Sequence, residues 1–340
     1  MNLPRFDFLS PTTVKETLSL MSEYREQLRV LAGGTEITGR LKHRLASPAY
    51  VLSLKRVNGL AGIKQKKKEL VIGATTTLSE VADSHLIANL FQSVSEAAGL
   101  VAAPAIRNVA TVAGNLLQES RCLHYNQSEL ARNGLGPCYK LGGEACHAVK
   151  GGKRCFSVYQ GDLAPALIAV GARARLQKKG SFRTLPVEEL FTGKGTNPIG
   201  LARDELLTEI ILPIRTGPSA SAYQKFTLRG SIDYPLASAA VFLSEGKNGM
   251  IEDARIILGA AGPGPKVAQD AASTIQGKRP QDVQDMDIQQ AASLTAKAME
   301  AVDNLILPSS YRRKLAAVMT KRALEEALHS LREAGHVIHA

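Results

Sequence analysis

The sequence predicts an α+β protein whose chain divides into three segments. A helical pattern near the amino terminus precedes a strand-like run that ends in two adjacent glycines, Gly33 and Gly34. The middle of the chain contains strand-like runs rich in alternating and β-branched residues. The last third opens with two strand-like runs and continues into three helix-like stretches. These patterns place the segments at about 1–55, 56–215 and 218–335.

The first segment combines a helix with a glycine-containing turn. Pro11, which follows Ser10, predicts a helix start, and apolar residues recur after it at helical spacing. A strand over 27–31 then runs into the sequence AGGTE at 32–36. A strand, two glycines and a helix start offer backbone N–H groups and a helix dipole to a phosphate. The turn also has a purely steric explanation, and it matches neither the Rossmann nor the Walker glycine pattern.

The second segment begins with short mixed elements. We predict a strand over 69–74, helices over 77–85 and 86–100, and a strand-like run that ends at 111–115. Small residues and an asparagine at the end of this run let backbone approach a ligand closely.

Further along the second segment, a turn precedes an apolar helix. Gly161 and Asp162 predict the turn and the cap, and Pro165 falls in the first helical turn. Three strand-like runs follow, over 173–177, 182–186 and 205–212. The third segment has strand-like runs over 237–244 and 255–259, and its last helix is predicted over 309–333.

All four cysteines lie in the second segment, between the strand-like run that ends at 111–115 and the turn at Gly161. They are Cys122, Cys138, Cys146 and Cys155. The chain starts without an apolar signal segment, so we expect a reduced, cytoplasmic protein rather than disulfides. Four thiolates suit zinc or an iron–sulfur cluster. The gaps are longer than the short Cys pairs typical of structural zinc sites, and they favour a cluster held by a long loop. Four unconnected buried thiols are the alternative.

The composition is that of an ordinary globular protein. Apolar residues make up 44% and charged residues 21%, and no run approaches the roughly 18 apolar residues of a membrane span. The net charge of +11 is compatible with an acidic partner. Because the basic residues are dispersed, tryptophan is absent and no nucleic-acid motif occurs, we expect a protein partner rather than a nucleic acid.

Five segments carry a resemblance to a known family: LAGGTEITGRLK, IRNVATVAGNLLQ, GDLAPALIAVGA, ELLTEIILP and SSYRRKLAAVMTKRAL. Together they resemble the FAD-binding medium subunit of the molybdenum hydroxylases, the group that contains xanthine dehydrogenase and carbon monoxide dehydrogenase. The resemblance covers nearly the whole chain. It implies the FAD-binding fold of the CO dehydrogenase flavoprotein, of the vanillyl-alcohol oxidase-like type, in two subdomains. A C-terminal α+β domain would pack over the flavin.

The stretch that bears the cysteines is an insertion relative to ordinary members of this group. It spans about 119–158 and contains CLHYNQSE and EACHAV. In this it is similar to the beta subunit of 4-hydroxybenzoyl-CoA reductase. That resemblance implies an additional [4Fe–4S] cluster, bound by Cys122, Cys138, Cys146 and Cys155.

The resemblance also implies which residues bind FAD. The pyrophosphate loop would be formed by Ala32, Gly33, Gly34, Thr35, Glu36 and Ile37. The other implied contacts come from Val101, Thr111, Gly114, Asn115, Asp162, Leu207 and Lys225. The family pattern is T-x-G-G-N, and in this chain Ala113 replaces the first glycine.

Three of these residues have a structural alternative. Asp162 would accept from a ribityl or ribose hydroxyl; its structural alternative is an N-cap for the helix that follows, and both roles can hold together. Leu207 would pack on the isoalloxazine ring, or it belongs to the ordinary core. Lys225 would be a cation near the flavin that tunes its potential, or a strand lysine that points to solvent.

No catalytic acid–base or nucleophilic arrangement is evident in the sequence, as expected for a subunit that transfers electrons. The resemblance implies an oxidoreductase subunit in a heteromeric complex, with a large molybdenum-cofactor subunit and a small [2Fe–2S] subunit, as a dimer of heterotrimers. It also implies a ferredoxin-like donor or acceptor and reductive dehydroxylation of an aromatic CoA ester. Two alternatives stay open: a hydroxylase of an N-heterocycle or another CoA ester that passes electrons outward, and a zinc-stabilised binding protein without redox chemistry.

Overall fold

The computed structural model describes residues 2–338 and contains three β-sheets with helices between and around them. The first sheet is parallel and has the strand order β1-β3-β2. Its strands are β1 (Asp7–Leu9), β2 (Leu28–Leu31) and β3 (Tyr50–Ser53), and its helices are α1 (Val14–Tyr24) and α2 (Ile37–Lys42). The turn between β2 and α2 contains the two adjacent glycines, as predicted.

Helix α1 begins later than Pro11 predicts. Thr13 is its N-cap, because the Thr13 hydroxyl accepts a hydrogen bond from the Glu16 N–H at 3.2 Å. The Glu16 carboxylate in turn accepts from the Thr12 N–H at 2.9 Å. This reciprocal pair satisfies N–H groups at the helix start, so a threonine cap overrides the proline signal.

The second sheet is antiparallel and five-stranded, in the order β4-β5-β8-β6-β7. Its strands are β4 (Ile63–Lys66), β5 (Glu69–Gly73), β6 (Arg173–Lys178), β7 (Ser181–Pro186) and β8 (Leu206–Pro213). The strands predicted over 69–74, 173–177, 182–186 and 205–212 are therefore confirmed within one residue or so at either end. The central strand β8 is almost wholly buried, which explains its continuous apolar run.

Seven short helices lie between β5 and β6 in the chain: α3 (Leu78–Ala82), α4 (His85–Leu90), α5 (Gln92–Gly99), α6 (Pro104–Arg107), α7 (Val112–Leu116), α8 (Glu129–Asn133) and α9 (Leu163–Ala169). The predicted single helix over 86–100 is wrong, because Phe91 leaves helical geometry with φ −147° and ψ 59° and divides α4 from α5. The strand-like run predicted to end at 111–115 is also wrong, since α7 occupies it.

The third sheet and three helices form the last third of the chain. The sheet is antiparallel, in the order β12-β11-β10-β9. Its strands are β9 (Ser219–Phe226), β10 (Ala237–Glu245), β11 (Ile251–Gly259) and β12 (Lys266–Val267), and the helices are α10 (Gln269–Ser273), α11 (Asp285–Ala298) and α12 (Ser309–Ile338). The three predicted helices and the start of the last one at 309 are confirmed.

A pair of half-buried carboxyl groups, Glu96 and Glu326, lies where α5 meets β9 and α12. Glu96 accepts a hydrogen bond from the Tyr223 N–H at 2.7 Å, and Gln92 donates to both Glu96 and Glu326. Burial raises the pKa of Glu96 to about 7, and the charge of Glu326 acts in the same direction. The folded protein therefore retains a proton at Glu96 that the unfolded chain releases at lower pH.

We expect Glu96→Gln to stabilise the protein at about pH 8 and to leave its stability unchanged near pH 4. Because the folded pKa of Glu96 is raised, the wild type loses stability as the pH rises from about 4.5 to about 7. A neutral amide avoids that loss, which is on the order of 2 kcal/mol. Urea denaturation at both pH values measures it, with the exposed Glu325→Gln as control. A gain of the same size at both pH values would contradict the explanation.

Candidate functional site

A cavity of about 690 Å³ is formed where the first two sheets and α7 come together. Its wall contains β2, the loop at 32–37, the start of α7 and the start of β8. The volume falls within the range of about 300–1,000 Å³ that is usual for small-molecule and cofactor sites. We call it the large cavity.

The loop at 32–37 approaches the α6–α7 connection so closely that only glycine fits at position 33. A Cβ atom on Gly33 would lie 1.9 Å from the Val109 carbonyl oxygen. Gly34 has φ +82°, which L side chains rarely adopt. The sequence therefore places bare backbone at the wall of the large cavity, as the glycine pair predicts.

The second predicted loop also reaches the large cavity, although as a helix start. Thr111 is the N-cap of α7, because its hydroxyl accepts from the Gly114 N–H at 3.1 Å. Thr111, Ala113 and Gly114 all line the cavity. The threonine cap and the small residues after it favour a helical turn over the strand.

The structure brings most of the sequence-predicted residues to one cavity. Those that line it are Ala32, Gly33, Gly34, Thr35, Glu36, Ile37, Thr111, Gly114 and Leu207. Leu207 is also 1% exposed and packs in the core with strands of the second sheet, as its structural alternative predicts, and its contact with a flavin ring stays a prediction. Val101, Asn115, Asp162 and Lys225 do not line this cavity, and their contact with a cofactor stays a prediction.

Three arginines of the cavity wall were not predicted. They are Arg29 on β2, Arg40 on α2 and Arg203 before β8. Burial lowers the pKa of Arg29, and the neighbouring charge of Arg203 lowers it further. Guanidinium groups suit bidentate contact with phosphate oxygens. No local sequence pattern distinguishes these arginines from others, because only the fold brings their three elements together.

Asp162 and Lys225 form a buried ion pair instead of two separate contacts. Lys225 Nζ lies 3.1 Å from Asp162 Oδ1 and donates to the Leu100 carbonyl oxygen at 2.6 Å. Tyr223 also donates to Asp162, at 2.8 Å. Burial raises the pKa of Asp162, while Lys225 and Tyr223 act against that rise. Lys225 is therefore not the solvent-facing strand lysine of the alternative interpretation.

Asp162 does not cap α9 with its side chain. The Leu163 N–H at the start of α9 instead donates to Asn115 Oδ1 at 3.2 Å. Asp162 therefore occupies the N-cap position of α9, as the alternative predicts, but its carboxylate is turned toward Lys225 and Tyr223 and makes no capping hydrogen bond. Asn115 joins α7 to α9 and thereby fixes the second loop of the large cavity.

The four cysteines line a second, narrow cavity, which we call the thiol cavity. Cys122, Cys138, Cys146 and Cys155 are all free thiols. His124 lies in the same wall, and its Nε2 atom is buried without a hydrogen-bond partner among the residues described. His147 lies beside it, with ring centroids 4.6 Å apart. A cavity lined by four thiols and by nitrogen donors, with no carboxylate, has the chemistry of a soft-metal or cluster site.

The thiol cavity is not shaped as a site for a single metal ion. Within the described part of the chain, no three His, Cys, Asp or Glu side chains converge closely enough to hold one. Its volume is about 10 Å³, room for about one water molecule. A larger group therefore requires the surrounding loop to widen.

Charged side chains connect the insertion to the large cavity. Arg121, next to Cys122, pairs with Glu36 of the large-cavity loop. Glu119 pairs with Arg40 on one side and with Lys140 on the other. Burial by itself would raise the pKa of Glu119. The positive charges of Lys140 and Arg40 have the larger effect and lower that pKa. Glu119 is therefore an ionised carboxylate between the two cavities.

These features define a protein with mixed helix and sheet, in which two loops distant in the chain meet at one large cavity. Residues 4–215 match the family described as the FAD binding domain in molybdopterin dehydrogenase, and residues 221–327 match the CO dehydrogenase flavoprotein C-terminal domain. The chain belongs to this family of FAD-binding subunits of molybdenum hydroxylases, and it is an oxidoreductase component. The predicted α+β flavoprotein fold is confirmed.

Known relatives resemble the chain over nearly its full length. It is 26% identical to the carbon monoxide dehydrogenase medium chain of Hydrogenophaga pseudoflava, over 95% of this chain and 97% of that one. The medium chain from Afipia carboxidovorans is 28% identical, over 95% and 96%. The solved structure of the Hydrogenophaga pseudoflava enzyme that lacks the Mo-pyranopterin moiety of its molybdenum cofactor matches with a TM-score of 0.79 and 25% identity, over 97% and 99% of the two chains.

The comparisons support the predicted flavoprotein family and do not reach the finer resemblance to 4-hydroxybenzoyl-CoA reductase. Several relatives are named as subunits, among them subunit alpha of the 6-hydroxypseudooxynicotine dehydrogenase complex from Paenarthrobacter nicotinovorans, which is 25% identical over 98% and 97% of the chains. In the described range, 2–338, no helix has the length and apolar character needed to cross a bilayer.

Proposed function

We propose that this chain is the FAD and [4Fe–4S] electron-transfer subunit of a molybdenum-containing reductase. It relays electrons from a low-potential donor toward a molybdenum subunit that dehydroxylates an aromatic CoA ester of the 4-hydroxybenzoyl-CoA type. The observation that carries the proposal is that all four cysteines line one cavity, and that Lys140, Glu119 and Arg40 connect this cavity with the large cavity through ion pairs. The bound flavin would supply two-electron exchange and the cluster one-electron exchange.

The large cavity fits FAD by its own residues. Gly33 and Gly34 place backbone without side chains at the cavity wall just before α2, where a pyrophosphate is favoured. Arg29, Arg40 and Arg203 supply the positive charge that phosphate oxygens require. Leu207 provides apolar wall for a ring system.

The four thiols of the thiol cavity favour a cluster over zinc by their chemistry, and the surrounding loop would have to widen to hold it. In a tetrahedral zinc site each sulfur lies about 2.3 Å from one ion, so the sulfurs are drawn together at one point. The four thiols line one narrow cavity, and among the described residues no three His, Cys, Asp or Glu side chains are placed to hold a single metal ion. A [4Fe–4S] cluster takes one thiolate at each iron and therefore holds its thiolates further apart. The zinc-stabilised, non-redox protein is accordingly the weaker proposal.

The surface of the insertion supports a protein partner for electron exchange. Leu123, Leu130 and Leu135 are exposed there by 47%, 85% and 62%. The chain as a whole carries a net charge of +11. An acidic, ferredoxin-like protein would complement this charge. The large molybdenum-cofactor subunit and the small [2Fe–2S] subunit are proposed as the permanent partners, in a dimer of heterotrimers.

A second function is favoured by the names of relatives. The nicotine 6-hydroxylase medium subunit of Paenarthrobacter nicotinovorans is 25% identical over 96% of this chain and 99% of that subunit. Caffeine dehydrogenase subunit beta of Pseudomonas is 25% identical over 95% and 94%. Both names point to oxidation of N-heterocycles. In this alternative the chain passes electrons outward from a molybdenum hydroxylase.

We expect Cys138→Ser to remove iron while leaving flavin bound. Cys138 is the most deeply buried of the four cysteines, 7% exposed, and it does not line the large cavity. The measurement is iron, zinc and released flavin per chain after anaerobic purification, with the absorption spectrum of each sample. The wild type should contain about four irons and one flavin.

The same analysis separates the alternatives. Flavin with zinc, or with no metal, in the wild type would overturn the cluster and favour the ordinary hydroxylase. Loss of both iron and flavin in Cys138→Ser would show that the insertion and the flavin loops fold as one unit. Activity assays of the complex with 4-hydroxybenzoyl-CoA and with N-heterocycles then distinguish the two substrate classes.

A further inference from the structure

One buried lysine connects the thiol cavity with the large cavity. The Lys140 side chain is only 2% exposed, and its Nζ lies 2.9 Å from Glu119 Oε1. Lys140 lines the thiol cavity, whereas Glu119 lines the large cavity. Nζ also donates to Ser120 Oγ at 2.7 Å and to the Gly195 carbonyl oxygen at 2.6 Å. These contacts hold the ammonium group in one position.

The ammonium group lies close to a cysteine sulfur. Ser157 Oγ is 3.4 Å from Lys140 Nζ and also 3.4 Å from Cys155 Sγ. A single hydroxyl group therefore separates the positive charge from the thiol. Because Lys140 is buried, salt and water screen this charge much less than a surface charge.

We propose that Lys140 is a positioning residue that raises the reduction potential of the cluster in the thiol cavity, and that Glu119 limits this effect. The inference rests on the function proposed above. Reduction adds one electron to the cluster, with no bond formed or broken, and so increases its negative charge. A fixed cation beside a cysteine ligand stabilises the reduced form. Glu119 partly neutralises that cation, and it connects the effect with the flavin side through Arg40.

The arrangement predicts opposite effects for the two members of the ion pair. Lys140→Gln removes the cation and leaves the Glu119 carboxylate, so the cluster potential falls. Glu119→Gln removes the carboxylate and leaves the lysine charge uncompensated, so the potential rises. Simple loosening of the insertion has no reason to produce shifts of opposite sign. We expect each change to alter the reduction equilibrium constant of the cluster at least about tenfold, equivalent to 59 mV for one electron.

The test is an anaerobic redox titration of the purified complex, followed by electron paramagnetic resonance of the cluster and absorption of the flavin. Lys153→Gln is the matched control, because Lys153 lies two residues from Cys155, as Lys140 does from Cys138, but its side chain is exposed. Lys153→Gln should change the reduction equilibrium constant of the cluster by less than about twofold, because water screens a surface charge. Iron per chain is measured for every variant.

The outcomes separate this inference from the proposed function. A wild type without iron overturns the proposed function itself. A wild type with about four irons, together with unchanged potentials in both Lys140→Gln and Glu119→Gln, overturns the inference alone. Shifts of the same sign in the two variants, or an equal shift in Lys153→Gln, also overturn it. If Lys140→Gln loses iron, the Glu119→Gln titration decides: an upward shift supports the inference and no shift contradicts it.

Discussion

Gly33→Ala is expected to destabilise the protein by about 2–4 kcal/mol and to weaken flavin retention more than about tenfold. The added methyl group would lie 1.9 Å from the Val109 carbonyl oxygen and 2.7 Å from its carbon, so backbone and not a flexible side chain must move. The loop at 32–37 and the α6–α7 connection would separate at the wall of the large cavity. Both loops that contact the flavin in our proposal would therefore shift together. Flavin released per chain and the melting temperature measure the effect.

Gly39→Ala is the matched control for this prediction. Gly39 lies within α2, only six residues away, and no atom lies within 4 Å of the position of an added Cβ. Alanine in a helix interior is favoured over glycine by about 1 kcal/mol. The control variant should therefore keep its flavin and melt at the same or a higher temperature. Equal flavin loss in both variants would show that the close approach of Gly33 is not the cause.

The sequence predicted the site residues at positions where the local backbone geometry requires a particular residue type. Gly33 and Gly34 mark a close backbone approach and a left-handed φ, and both line the large cavity. Long-range pairing was not predictable in this way. Lys225 and Asp162 are 63 positions apart, yet their buried ion pair decides where both side chains point. Arg29, Arg40 and Arg203 reach one cavity only because the sheets bring their elements together.

The errors in the fold prediction have local causes. Thr13 and Thr111 each cap a helix through a hydroxyl that accepts a hydrogen bond from a backbone N–H. The Thr13 cap explains why α1 begins later than predicted, and the Thr111 cap explains why α7 forms where a strand was predicted. Phe91, an ordinary apolar residue within a helical pattern, has φ −147° and ψ 59° and thereby separates α4 from α5, and no local signal in the sequence marks this break.

The insertion is less independent of the flavin loops than its sequence suggests. Its start pairs with the first subdomain through Arg121 and Glu36 and through Glu119 and Arg40. Arg132 in α8 also donates to the carbonyl oxygens of His43 and Arg44, just after α2. An insertion that folded independently of its surroundings would not need these ion pairs and hydrogen bonds. They explain how a group in the thiol cavity would be held at a fixed distance from the large cavity.

The end of the insertion is held by the last domain through a buried arginine. Arg312 on α12 is fully buried and donates to the carbonyl oxygens of Leu236 at 3.1 Å and Ala260 at 2.6 Å. It also donates to Asn304 Oδ1 at 3.2 Å, and the Asn304 side chain donates to the Phe156 carbonyl oxygen, next to Cys155. Burial lowers the pKa of Arg312 to about 10, which still leaves it charged at neutral pH.

Arg312→Met is expected to cost about 3–5 kcal/mol of unfolding free energy, because it leaves several buried carbonyl oxygens without a donor. Urea denaturation measures this loss. The exposed neighbour Lys314→Met should change stability by less than about 0.5 kcal/mol. Because Asn304 would lose its partner, we also expect Arg312→Met to release iron at lower urea concentrations than it releases flavin. Release of both at the same concentration would show that Arg312 supports the whole molecule and not the thiol cavity in particular.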